Sequence, residues 1–279
     1  KYQTSLEGDS QLKYKKRAID AGIKRAKNNF FAFSDVDCLP AKDWIKGMVK
    51  QFNNGADYIV GLSIVPQSNH LVGQFQRIDF LLSMFAAHGM VSLGCAWGCS
   101  GQNQGYTRDL YIRNNGFSQI KNLLQGDDSI FLQISRKNPT TVLLNKEENS
   151  HVESRVEYKW KDFISQRIRW ASDGNIMWKY NKIFYLSLLS AFFANFLFFI
   201  SPLLVYQKII STANIIVLLS IKLILEYSLF LIGGKKNKIK FNHFQFLFWF
   251  ILQIPYVLFV GLFSFLNIKL NWRERTFQQ

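Results

Sequence analysis

Two carboxylates one residue apart close the apolar run Phe30-Phe31-Ala32-Phe33-Ser34-Asp35-Val36-Asp37. With this spacing Asp35 and Asp37 can reach one small volume. Two hard oxygen donors there suit Mg²⁺ or Mn²⁺, which could neutralise a diphosphate. Two solvated loop aspartates would read the same way, so the pair needs company. A second pair stands in Gln125-Gly126-Asp127-Asp128-Ser129, ahead of an apolar segment. Acidic residues at a helix start are often simple partners of the helix dipole. Adjacent carboxylates in a cleft also raise one another's pKa, and one can then act as a general base. Between the pairs a glycine-rich stretch, 94–105, runs into Tyr106-Thr107-Arg108. Its glycines allow close backbone approach. Asn103, Tyr106 and Arg108 offer an amide, a phenol and a guanidinium suited to hydroxyl-rich or phosphorylated ligands, although an ordinary loop fits equally well.

These groups need a scaffold. The run 30–33 is continuous rather than alternating, as expected of a parallel strand buried on both faces, and Pro40 ends it. Open α/β sheets place ligand sites at the carboxyl ends of such strands, where Asp35 and Asp37 would sit. The spacing of Ala18, Ile19, Gly22, Ile23 and Ala26 predicts a helix over 11–27. Its Lys15, Lys16 and Arg17 are either a solvated face or help for a nucleotide's phosphates. A helix over 41–53, a strand over 58–65, a helix over 70–91 and a short strand over 139–144 follow. A polar stretch, 145–155, then leads out of the domain.

The rest is of another character. Basic and aromatic residues alternate over 158–180, as in a helix lying in a membrane interface. Segments 184–207 and 244–268 carry no charge as far as residue 268, and each is long enough to cross a hydrocarbon core of about 30 Å. Segment 209–232 carries Lys222 and Glu226 on one helical face. Such a pair faces a bundle interior or a cavity, either as a structural ion pair or as part of an acceptor path. Pro202 and Pro255 are expected to kink their helices. The basic first part and the loop with Lys235, Lys236, Lys238 and Lys240 both belong on the cytoplasmic side. They agree if the first two segments form a hairpin. Either the tail with Lys269, Arg273 and Arg275 then breaks the rule after a third crossing, or one of the segments does not cross.

The formal net charge of +15 admits nucleic acid, an anionic membrane surface or a phosphorylated substrate. Its 26 phenylalanines gather toward the end of the chain, which favours the membrane, and no stacking or zinc module speaks for nucleic acid. Cys38, Cys95 and Cys99 contain no Cys-x-x-Cys spacing and read as free thiols in a reducing compartment.

Taken in order, the motifs resemble the membrane-bound family 2 glycosyltransferases, the group with hyaluronan, chitin and cellulose synthases and ceramide glucosyltransferase. Lys16-Arg17-Ala18-Ile19-Asp20-Ala21-Gly22-Ile23 resembles the helix before that family's metal motif, and Asp35-Val36-Asp37 resembles its D-x-D. Gly101-Gln102-Asn103 through Tyr106 and Arg108, with Asn115-Gly116-Phe117, resembles its next run, and Gly126-Asp127-Asp128 its acidic motif. Gln166-Arg167-Ile168-Arg169-Trp170 resembles the Q-x-x-R-W signature, and Trp272-Arg273-Glu274-Arg275 a tryptophan–basic tail.

The resemblance implies a GT-A-like α/β domain with a mostly parallel sheet, followed by interfacial and transmembrane helices. It implies an inverting, hexosyltransferase-like enzyme that moves a sugar from a nucleotide sugar, a UDP-sugar first, to a lipid or glycan acceptor. Asp35 and Asp37 would hold Mg²⁺ or Mn²⁺, and Asp128, beside Asp127, would be the general base. Lys16, Gln166 and Arg169 would hold the donor's diphosphate. Asn103, Tyr106 and Arg108 would bind the acceptor, and Trp170 would line its site. The expected division is a catalytic domain over 1–156, an interfacial region over 157–182, about three membrane helices over 183–268 and a basic tail over 269–279. The expected setting is a bacterial cytoplasmic membrane with the catalytic domain in the cytoplasm. The strand and acidic loop that hold the uridine in family members have no counterpart ahead of Lys1, so the nucleotide-binding half reads as incomplete. A processive polysaccharide synthase and a non-catalytic membrane scaffold remain alternatives.

Overall fold

A computed structural model describes residues 4–240, 242–266, 270–272 and 275–277. It has two compact units: one runs to Pro66 and resumes over Ala86–Arg155, and the other takes Gln67–Phe85 and the chain from Val156 onward.

The first unit is mixed α/β. Helix α1 (Tyr14–Arg25) precedes β1 (Phe30–Phe33), and β2 (Leu39–Pro40) leads into α2 (Trp44–Asn53). Strands β3 (Tyr58–Gly61) and β4 (Ser63–Ile64) follow. After α3 (Leu71–Ser92), whose last part from Ala86 belongs here, come β5 (Gln104–Thr107), α4 (Arg108–Arg113), α5 (Ser129–Ser135), β6 (Val142–Asn145) and β7 (Val152–Glu153). The main sheet has the order β1-β5-β3-β6. Strand β5 is antiparallel to both β1 and β3, while β3 and β6 are parallel. Three of the four strands thus run the same way, and β5 is reversed between β1 and β3. The GT-A-like α/β architecture with flanking helices stands.

Reversed β5 comes from the tail of the glycine-rich stretch, which was expected to be loop. Its Gly105 lies opposite Ala32 and Ile59, and a side chain there would meet the Phe31 carbonyl oxygen. The expectation that β1 is buried on both faces is not met. Its only partner among the described residues is β5, so Phe31 is buried while Phe30 is exposed and stacks on Phe52 at 4.6 Å. By contrast β3 is central, and every one of its residues is buried.

The second unit is helical. The first part of α3 packs with α6 (Trp160–Asn175), α8 (Thr212–Lys236) and α9 (His243–Ser264). Phe75, Phe163, Phe230 and Phe246 are all but fully buried there, each contributing about 1.5–3 kcal/mol of burial. Helix α7 (Lys182–Tyr206), α8 and α9 are long and apolar enough to cross a membrane. Helices α7 and α9 run on through Pro202 and Pro255. Exposed Phe193, Phe196, Phe199, Ile216, Ile224 and Leu225 give α7 and α8 surfaces suited to hydrocarbon rather than water. The ammonium of Lys222 donates to both carboxylate oxygens of Glu226 at 2.8 Å, and Gln253 of α9 donates to the same carboxylate. The pair is therefore satisfied inside the helix packing, as an ion pair would need to be within a membrane.

The last described residues form a hairpin, β8 (Leu270–Trp272) with β9 (Arg275–Phe277). Lys269, Arg273 and Glu274 of the expected basic tail lie outside the described residues.

Candidate active site

Both carboxylate pairs belong to the first unit, and one lysine joins them. Asp35 and Asp37 follow the end of β1, as the strand-end argument requires. Helix α1, packed ahead of β1, carries Lys15 on its first turn. Lys15 Nζ lies 2.8 Å from Asp35 Oδ1 and 3.1 Å from Asp127 Oδ2. Burial works against its charge, but Asp127 and Asp35 win and hold the ammonium above the ordinary lysine range.

Asp128 is the N-cap of α5, reached through a turn that needs Gly126 at φ +101°. Its Oδ1 accepts from the Ser129 amide at 2.6 Å and its Oδ2 from the Gly101 amide at 3.1 Å. Burial, followed by the charge of Asp127, pushes its carboxyl up to about 6, against the opposing pull of Lys15 and the two amides. Asp127 is buried and takes the Gln104 side-chain amide on its backbone carbonyl at 3.1 Å. A Cβ on Gly101 would lie 3.1 Å from Lys15 Nζ, 3.3 Å from Asp128 Oδ2 and 3.6 Å from Asp127 Oδ2. Glycine at 101 thus leaves open the space on which the lysine and both acids converge.

Asp35, Asp37 and Cys38 each offer one ligand atom, all within 4.8 Å of one another. Burial, then the Asp35 and Asp37 charges, push the Cys38 thiol up to about 12. The two hard carboxylates of Asp35 and Asp37 fit Mg²⁺ or Mn²⁺ shared with a diphosphate.

Other expected site residues are placed differently. Lys16, expected on the donor's phosphates, is buried and donates to the carbonyls of Leu123 and Gln125 at 2.5 and 3.1 Å. Successive helix residues point about 100° apart, and it is Lys15 that faces the acids. Asn103, expected on the acceptor, is fully buried. It donates to the Leu62 carbonyl at 2.8 Å and accepts from Trp44 Nε1 at 2.9 Å. Tyr106 is fully buried among Phe33, Tyr58, Tyr111 and Phe131. Arg108 donates to the Ile23, Ala26 and Asn28 carbonyls at the end of α1 and lies over the Phe31 ring. These contacts of Asn103, Tyr106 and Arg108 hold the scaffold together, and an acceptor role for them rests on the resemblance of their motifs alone.

Gln166, Arg169 and Trp170 lie on α6 in the second unit. Gln166 accepts from Arg167 at 3.2 Å, and the Arg167 guanidinium lies 4.3 Å from the Trp170 ring centre. Arg167 pairs with Asp79 at 2.8 Å, both side chains being largely buried. Trp249 and Tyr256 of α9 also donate to Asp79, at 3.4 and 3.3 Å. This anchor was not foreseen, although Asp79 as a lone acid in the apolar 70–91 segment signals that a partner is required.

A family model described as glycosyl transferase family group 2 matches residues 32–263, and the chain belongs to that family. No curated protein matches it.

Proposed function

We propose that the chain transfers a sugar from a nucleotide-sugar donor, with inversion and with help from a divalent metal, to a lipid or glycan acceptor at a membrane. The observation that carries this reading is Lys15, whose ammonium pairs both with Asp35 of the metal-type pair and with Asp127, the neighbour of the raised carboxyl of Asp128. Asp128 takes the proton of an acceptor hydroxyl, whose oxygen then bonds to the anomeric carbon as the bond to the diphosphate breaks. A single displacement of this kind inverts the anomeric configuration. The leaving nucleoside diphosphate departs with the electron pair, and a divalent ion bound at Asp35 and Asp37 supplies charge neutralisation for it. Asp127 adds to the basicity of Asp128 and seats Lys15. For Gln166 and Arg169 a role at the leaving diphosphate, and for Trp170 a role at the acceptor, rest on the resemblance of their motif.

Helices α7, α8 and α9 support the membrane setting, and Lys235 and Lys236 in the last turn of α8 support catalysis on the cytoplasmic side, in a bacterial membrane by our reading. UDP-sugars are the first donors to screen. In lipid, one nucleotide sugar should release its nucleoside diphosphate in the presence of Mn²⁺ or Mg²⁺, and Asp37→Ala should abolish the release. Release that persists in Asp37→Ala would contradict the metal assignment. Product length on a gel then separates single addition from a processive synthase.

A further inference from the structure

Lys15 occupies the place of a cation. Its ammonium bridges Asp35, one of the two metal-type carboxylates, and Asp127, the neighbour of the proposed base. A divalent ion taking the Asp35 oxygen would meet this second positive charge on the same atom, and the two repel strongly at such separations.

We propose that Lys15 is the tethered stand-in for the metal: it neutralises Asp35 before loading, competes with the ion for that carboxylate, and on loading keeps Asp127 alone. The inference rests on the metal reading of Asp35 and Asp37. Burial decides which partner the lysine keeps. The Asp35 side chain is 31% exposed and can be left to the ion and water, whereas that of Asp127 is 9% exposed. Stripping its paired cation from a buried carboxylate is costly, so Lys15 stays with Asp127. The bare backbone at Gly101, 3.1 Å from Nζ at the nearest point of an added Cβ, keeps room for the ammonium beside Asp128. Metal loading and the charge beside the base are thereby linked through one side chain.

The test is Mn²⁺ titration of the lipid-reconstituted protein without donor, with free Mn²⁺ read by electron paramagnetic resonance. Lys15→Met should bind Mn²⁺ roughly tenfold tighter, as removal of one like charge a few ångströms from the ion requires. Lys15→Arg, which keeps the charge, should bind within about twofold of the unaltered chain by the same reasoning. Equal or weaker binding in Lys15→Met overturns the proposal while leaving the metal site standing. Binding that Asp37→Ala does not remove overturns the metal reading itself, and the Lys15 proposal with it. A half-exposed position on α1 tolerates methionine, and Lys15→Gln repeats the measurement with a polar side chain should the first variant fold poorly.

Discussion

Replacing Asp127 by Asn should move the pH profile of transfer toward acid. Asp128 must be unprotonated to accept a proton, and its carboxyl sits at about 6. The rate should therefore rise with pH and level off, from about a tenth of maximum one unit below that value to about nine-tenths one unit above it. Burial is the larger reason for the raised value and the Asp127 charge the second. Asp127→Asn removes only the second and leaves the Ser129 and Gly101 amides on Asp128. It also frees Lys15 from one of its two acids, which again favours ionised Asp128. Two unit charges about 4 Å apart interact by about 1 kcal/mol in water and about 4 kcal/mol near a protein surface. Lys15 offsets part of that repulsion, which favours the lower part of the range, and about 1.4 kcal/mol is one pH unit. The rising limb should thus move down by about one unit. Single-turnover transfer between pH 4.5 and 8, metal held in excess, reads the chemical step directly. A limb that stays in place or moves to higher pH would refute the coupling, and a flat profile across that range would remove Asp128 from the base role.

Three further outcomes follow from the placements. Gly101→Ala puts a methyl into the space shared by Lys15 and Asp128, whose flexible ends can yield; thermal stability should change by less than about 1 kcal/mol while transfer falls at least about tenfold. Arg108→Ala uncaps α1 and should cost about 2–3 kcal/mol in stability without raising the acceptor KM; a raised KM with unchanged stability would place Arg108 at the acceptor site. Arg167→Met strands buried Asp79 and should cost about 3–5 kcal/mol, seen as a lowered melting midpoint in detergent, with much of the loss recovered when Asp79→Leu is added.

Residue type and spacing made the candidate chemistry of this chain readable, but not the direction in which side chains face. Asp35, Asp37 and Asp128 stood out as candidates because each pair ends or begins an element, and element ends are where the backbone must present its neighbours. The apolar helices were equally plain, since a run without charge over more than 20 residues has few other uses. Lys15 and Lys16 differ by one helical step, and the sequence contains nothing that says which of two adjacent lysines meets the acids. Asn103, Tyr106 and Arg108 are polar groups of binding type, yet a buried strand edge, an aromatic core and an open helix end need such groups too. The side-chain hydrogen-bond partners of Asn103 and Arg108 lie 41–85 residues away, so no local pattern could have shown them. Reversed β5 escaped notice for a related reason: it closes a glycine-rich stretch that fits a loop equally well, and only pairing with β1 and β3 makes it a strand.

The most direct test compares donor binding with transfer in Asp128→Asn. The account predicts that the variant binds nucleotide sugar and Mn²⁺ as the unaltered chain does, while transfer falls by about 10²–10⁴. Transfer at the original rate, with binding intact, would contradict the assignment of Asp128 as the base and with it the proposed reaction.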